Sequence, residues 1–118
     1  MTITNEQDKI PLFIQWIEFL PWIFQTTSKF PKSLRASLTT RIENLSLEVV
    51  ERILQATYKT QKKEVLKEIN LLLENIRILF RLAHTLKCLN TNSYEYAMTQ
   101  LLIAGKQVGG WHKQQTPL

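Results

Sequence analysis

Arg77, Arg81 and His84 are the residues of this chain whose types and spacing suit chemistry. Arg77 and Arg81 are four apart, so on a helix they share a face. Two guanidinium groups stacked in this way repel unless something negative lies over them. Arginine presents a planar fork of donors that fits a phosphate or a carboxylate equally well. The negative group is then a nucleic-acid backbone, a partner's acidic surface, or an intramolecular carboxylate, for which Glu74, Glu48 and Glu51 are the candidates. His84 follows Arg77 with six residues between them. A titratable imidazole near a fixed cation supports metal-independent RNA cleavage. Histidine would move the proton and arginine would stabilise the charge of the phosphorane. The apolar setting of His84, with Ala83 and Leu86, equally fits a histidine at the edge of a core.

The remaining charge points the same way. Lys59, Lys62, Lys63 and Lys67 cluster just before the arginines, and 15 Lys/Arg against 10 Asp/Glu leave a net charge of +5. A basic balance on a small domain favours a polyanionic partner, although such clusters also occur as plain solvated faces. One cysteine, Cys88, excludes an intrachain disulfide and reads as an inert thiol in an apolar stretch. Two histidines, one cysteine and no tight carboxylate cluster predict no metal and no cofactor. The polar segment Met1–Asp8 lacks the basic-then-apolar order of a signal peptide, and no apolar run is long enough to span a bilayer. The expectation is a cytoplasmic protein without a membrane association.

The elements that must position these residues are helices. Apolar residues recur at three and four, and no run alternates with period two. The spacing predicts one all-α domain over residues 1–118, with helices at about 10–27, 32–58, 62–89 and 93–113. Short connections make this an up-down-up-down four-helix bundle. Asp8 is the expected cap of the first helix, with Pro11 in its first turn and a kink at Pro21. Leu12, Phe19 and Trp22 widen the apolar stripe that holds Trp16 beyond one face, which predicts a subunit interface. On the third helix Lys63, Lys67, Asn70, Glu74, Arg77, Arg81 and His84 fall within a sector of about 100°. The rest of its circumference is apolar, so this helix is expected to touch several neighbours. Asn92 with Glu95 resembles a capping box for the fourth helix. Gly105, Gly109 and Gly110 are the only glycines and precede Trp111. Either the backbone approaches a neighbour closely there, or Gly109 and Gly110 end the helix.

Three segments resemble the accessory variability determinant (Avd) proteins of diversity-generating retroelements. They are Phe30-Pro31-Lys32 with Arg35, the run from Asn75 through Arg77 and Arg81 to Ala83, and Gly105 through Gly109-Gly110-Trp111. The resemblance covers about residues 12–113. Lys106-Gln107 and His112 depart from the family's usual residues on either side of the Gly-Gly-Trp. The resemblance implies a non-enzymatic four-helix bundle that assembles as a homopentameric barrel. It also implies binding to a reverse transcriptase and to RNA or DNA, in support of mutagenic retrohoming. Arg77 and Arg81 then become partner contacts. Two other families share features with this chain or with its expected fold. Small helical ribonucleases of the HEPN superfamily carry an Arg-x4-6-His motif, which Arg77 and His84 match. Four-helix proteins encoded in ribosomal-RNA intervening sequences carry an early Ser-x-Pro-x-Asn-Ile-Ala-Glu-Gly segment, which this chain lacks.

Overall fold

Four α-helices make up the fold: α1 (Pro11–Thr27), α2 (Thr40–Tyr58), α3 (Lys63–Thr85) and α4 (Thr91–Gln114). The computed structural model describes residues 6–115. Residues 1–5 of the polar N-terminal segment, and 116–118, lie outside the described residues. No strand occurs among the described residues.

Each helix boundary has a local cause, and several differ from expectation. Pro11 occupies the first turn of α1, but Ile10 is the cap residue and makes no side-chain cap bond. Asp8 does not cap α1, because it belongs to a short 3-10 turn, Glu6–Lys9, that precedes the helix. The chain is helical from Lys32, but as a 3-10 turn (Lys32–Leu34) and then a widened π turn (Arg35–Thr39), with regular α geometry only from Thr40. The Thr40 hydroxyl donates to the Arg35 carbonyl, five residues back, which fits the wider turn. Short hydroxyl side chains compete with the backbone for such acceptors, and this stretch has four of them.

The α2–α3 connection has neither glycine nor proline. Lys62 takes their place: its ammonium group donates to the Ala56 carbonyl at 2.7 Å and to the Lys59 carbonyl at 2.5 Å. It thereby satisfies acceptors that the end of α2 leaves open. α3 stops at Thr85 rather than Leu89. The Cys88 amide donates to the Ala83 carbonyl at 2.9 Å and the Lys87 amide to the His84 carbonyl at 3.0 Å. This is a Schellman closure, and it puts Lys87 in the left-handed region at φ 64°. α4 begins at Thr91. The Asn90 side chain accepts the Ser93 amide at 2.8 Å, so Asn90 is the cap and the expected Asn92–Glu95 box does not start the helix. α4 then runs through all three glycines to Gln114, so Gly109 and Gly110 do not terminate it.

Neighbouring helices are antiparallel. Thr27 of α1 donates to Glu43 near the start of α2, and Tyr58 at the end of α2 donates to Gln7 before α1. Phe19 and Trp22 of α1 pack on Tyr96 of α4, while Gln15 reaches Gln100. His84 of α3 stacks on Tyr94 of α4, and Arg52 of α2 pairs with Glu68 of α3. The α1–α2 and α3–α4 connections therefore share one end, and the α2–α3 connection lies at the other. Trp16, Phe19, Ile42, Ile53, Leu66 and Phe80 form the centre of the core. α3 packs against both α2 and α4, as expected, but its apolar circumference is not covered all round: Leu71 is 67% exposed, and Ile78 and Leu82 are also exposed.

Candidate nucleic-acid and partner interface

α3 brings Arg77 and Arg81 to one side, as their spacing requires, but their surroundings differ. Arg77 is half-buried and clamped by Glu74 one turn away: its Nε donates to Oε2 at 3.1 Å and its terminal nitrogen to Oε1. That hydrogen bond and the opposite charge hold the Glu74 carboxyl below its ordinary range and raise Arg77 further. Of the three carboxylates weighed against an external anion, Glu74 is the partner, whereas Glu48 pairs with Arg52. Arg81 is exposed and makes no ion pair among the described residues.

The lysine cluster also divides. Lys62 is turned onto backbone carbonyls and Lys67 pairs with Glu64 at 3.6 Å. Lys59 and Lys63 are exposed and unpaired among the described residues. His84 stacks on Tyr94 with centroids 4.4 Å apart, and its Nε2 lies 3.4 Å from the Thr91 hydroxyl. It stands two turns from Arg77, about 10 Å along the helix axis. Among the described residues, no three His, Cys, Asp or Glu side chains converge as a metal group would need.

The aromatic residues of α1 serve the core. Trp16 and Phe19 are buried, and Trp22 is half-buried against Phe80 and Tyr96. The outer face of α1 is made instead by Ile14 and Ile17, with Glu18 beside them, all exposed. Trp111 is half-buried. The three glycines do not approach any other part of the chain, since a Cβ on each would meet nothing within 4 Å. Two of them line open grooves on opposite flanks of α4. Gly105 lies in a groove of about 520 Å³ against α3, floored by Leu73, Met98 and Leu101 and edged by Glu74, Arg77 and Lys106. Gly110 lies in one of about 340 Å³ against the start of α1, with Ile10 and Trp111.

Other cations went unsingled in the sequence or entered only through the resemblance: Lys29, Lys32, Arg35, Arg41 and Lys87. All five are exposed, and none is ion-paired among the described residues. The signal that finds them is the absence of carboxylates, since no Asp or Glu lies within 19–42 or 75–94.

A family model described as bAvd-like matches residues 11–115. The chain belongs to the bAvd-like family. The match begins at the first residue of α1 and ends just beyond α4, so it takes in the whole helical unit. No curated protein and no solved structure matches the chain. Membership agrees with the resemblance to the accessory variability determinant proteins, and it covers both α3 with its arginines and the glycine-containing end of α4. No helix of this bAvd-like chain, among the described residues, is long and apolar enough to cross a membrane.

Proposed function

We propose that this bAvd-like protein is a non-catalytic, cytoplasmic accessory factor of a diversity-generating retroelement. It binds the element's reverse transcriptase and its RNA or cDNA, and it works as a homo-oligomer, a pentamer by the family resemblance. The observation that carries this reading is the family match over residues 11–115. The chemistry supports it. Arg81 offers an unpaired cation, and Arg77 is a cation whose present partner is an exposed carboxylate that another anion can replace. The exposed Ile14 and Ile17 on α1 and the unfilled groove at Gly105 are surfaces for another copy of the chain or for the polymerase.

The test is co-expression with the reverse transcriptase of the proposed retroelement. The two proteins are expected to co-purify with RNA, and cDNA synthesis on the template repeat is expected to require both. Polymerase that neither binds this chain nor depends on it overturns the reading. Metal-free protein incubated with single-stranded RNA, wild type beside His84→Ala, is expected to leave RNA intact in both. Cleavage that disappears with the histidine replaces the accessory reading with a nuclease.

A further inference from the structure

The net positive charge of the molecule is greatest at one end of the bundle, because that end has few carboxylates. The two connections that share this end, α1–α2 and α3–α4, lie in the segments without Asp or Glu. They carry Lys29, Lys32, Arg35 and Lys87, with Arg41 and Arg81 one turn or so into α2 and α3. All six are exposed and unpaired among the described residues. The carboxylates that follow these two segments are Glu43, half-buried and accepting the Thr27 hydroxyl at 2.6 Å, and Glu95 in the second turn of α4. The opposite end is different. There Glu6, Asp8, Glu64 and Glu68 stand among the lysines, Lys9 pairs with Glu6, Lys67 pairs with Glu64, and Lys62 caps α2. Six cations that repel one another, with little to balance them, keep that arrangement at a cost in stability that an external polyanion removes.

The backbone at this end gives a second, independent sign. Lys87 sits at φ 64°, where a Schellman closure ordinarily has glycine. A lysine there accepts conformational strain and gains a cation at the tip of the turn. The surface composition then chooses the kind of anion. Cores of protein–protein interfaces are rich in aromatics and depleted in lysine. Here the aromatic of the α1–α2 connection, Phe30, is buried, and Leu86 is the one large apolar side chain exposed in the two connections. The cations are accompanied by the exposed polar side chains of Ser33, Thr91 and Asn92. Lysine and arginine interspersed with short hydroxyls and amides are the residues that contact phosphodiester backbones.

We propose that this connection end of the bundle is the dock for a nucleic-acid phosphodiester backbone, held through Lys29, Lys32, Arg35 and Lys87 with Arg41 and Arg81 at the margin. The proposal rests on the reading that the protein binds nucleic acid. It locates the contact away from the Lys59–Lys67 cluster, which the local charge pattern favours in the sequence. Binding here is set by phosphate spacing and not by base identity.

The experiment titrates the full chain with a short unstructured RNA across a range of salt. One variant carries Lys29→Ser, Lys32→Ser, Arg35→Ser and Lys87→Gly. The second loses the same number of charges at the other end, through Lys9→Ser, Lys59→Ser, Lys63→Ser and Lys113→Ser. Each phosphate contact contributes about 0.7 to the salt slope on a single strand, so losing all four lowers its magnitude by up to ~2.8. The connection-end variant is expected to lose roughly tenfold or more in affinity at low salt. The other is expected to lose less affinity and to keep the steeper slope. Equal losses, or a loss confined to the second variant, overturn the placement while leaving nucleic-acid binding intact. Wild-type protein that binds no RNA at low salt overturns the binding reading itself, and this proposal with it. Should the first variant fail to fold, lysine acetylation of the wild-type protein answers instead. RNA is expected to protect Lys29, Lys32 and Lys87 more than Lys59 and Lys63, and the reverse pattern refutes the placement.

Discussion

Trp16 has no exposed surface, and its indole nitrogen donates to the Ser46 carbonyl at 2.9 Å across the α1–α2 contact. Trp16→Phe keeps most of the apolar contact but removes the donor and leaves a small void. The expected loss is about 1–2 kcal/mol, read from the urea midpoint. Trp16→Ala is expected to cost about 3–5 kcal/mol. Arg77 and Glu74 make a different kind of contact, an exposed pair whose worth is local. The hydrogen bond from Arg77, with some help from its charge, outweighs desolvation and holds the Glu74 carboxyl below its usual range. A carboxyl lowered in the folded state contributes stability above its unfolded pKa, and this is lost as pH falls through the folded one. Acid therefore releases Arg77. Glu74→Gln is expected to do the same at neutral pH, to leave the melting temperature unchanged, and to raise RNA affinity a few-fold. It should also flatten the acid rise in affinity that release of Arg77 predicts for the wild type. Unchanged affinity in that variant leaves the phosphate contacts to the connection end alone. That Arg77 and Arg81 share a face was legible from their spacing. Which arginine is occupied was not, because Glu74, Glu48 and Glu51 stand at competing distances and only the fold ranks them.

At the scale of elements, apolar spacing at three and four was enough to read four helices. Packing rewards burial of one stripe on each helix, and that reward is written into residue types. Helix ends were less legible where the chain ends a helix without its usual residues. Lys62 closes α2 with its side chain, and Lys87 closes α3 at φ 64° with no glycine present. Lys87→Gly is accordingly expected to stabilise the fold by up to ~1 kcal/mol, since glycine takes the left-handed region without a Cβ penalty. A melting temperature that falls on this change contradicts the strain assigned there. The glycines of α4 misled in the opposite sense, because glycine usually marks an end. Here a Cβ would meet nothing within 4 Å at any of the three, so within one chain they carry only their helix penalty. Gly109→Ala is expected to raise stability of the dilute, dissociated chain by about 0.5–1 kcal/mol.

Across the whole molecule, apolar and cationic surfaces occupy different places. The cations with few carboxylates beside them lie at the connection end, whereas the unfilled groove at Gly105 and the exposed Ile14, Ile17 and Glu18 lie along the sides. In the proposed oligomer the groove of one copy and the α1 face of the next are complementary. Two isoleucines meet a floor of Leu73, Met98 and Leu101, and Glu18 meets Lys106 on a rim where Arg77 is already paired with Glu74. Two unlike faces make a heterologous contact, which closes into a ring or runs on as a filament. Filling the groove discriminates this arrangement from one that uses other faces. Gly105→Trp places a large ring into the open groove, at a position where a Cβ meets nothing within 4 Å. It is expected to turn the oligomer into a monomer by light scattering at micromolar concentration, with helix content unchanged by circular dichroism. Because the contact is mainly apolar, wild-type assembly is expected to survive salt that strips RNA from the connection end. An oligomer that persists in Gly105→Trp moves the interface elsewhere on the bundle, and a wild-type chain that scatters as a stable monomer removes the assembly altogether.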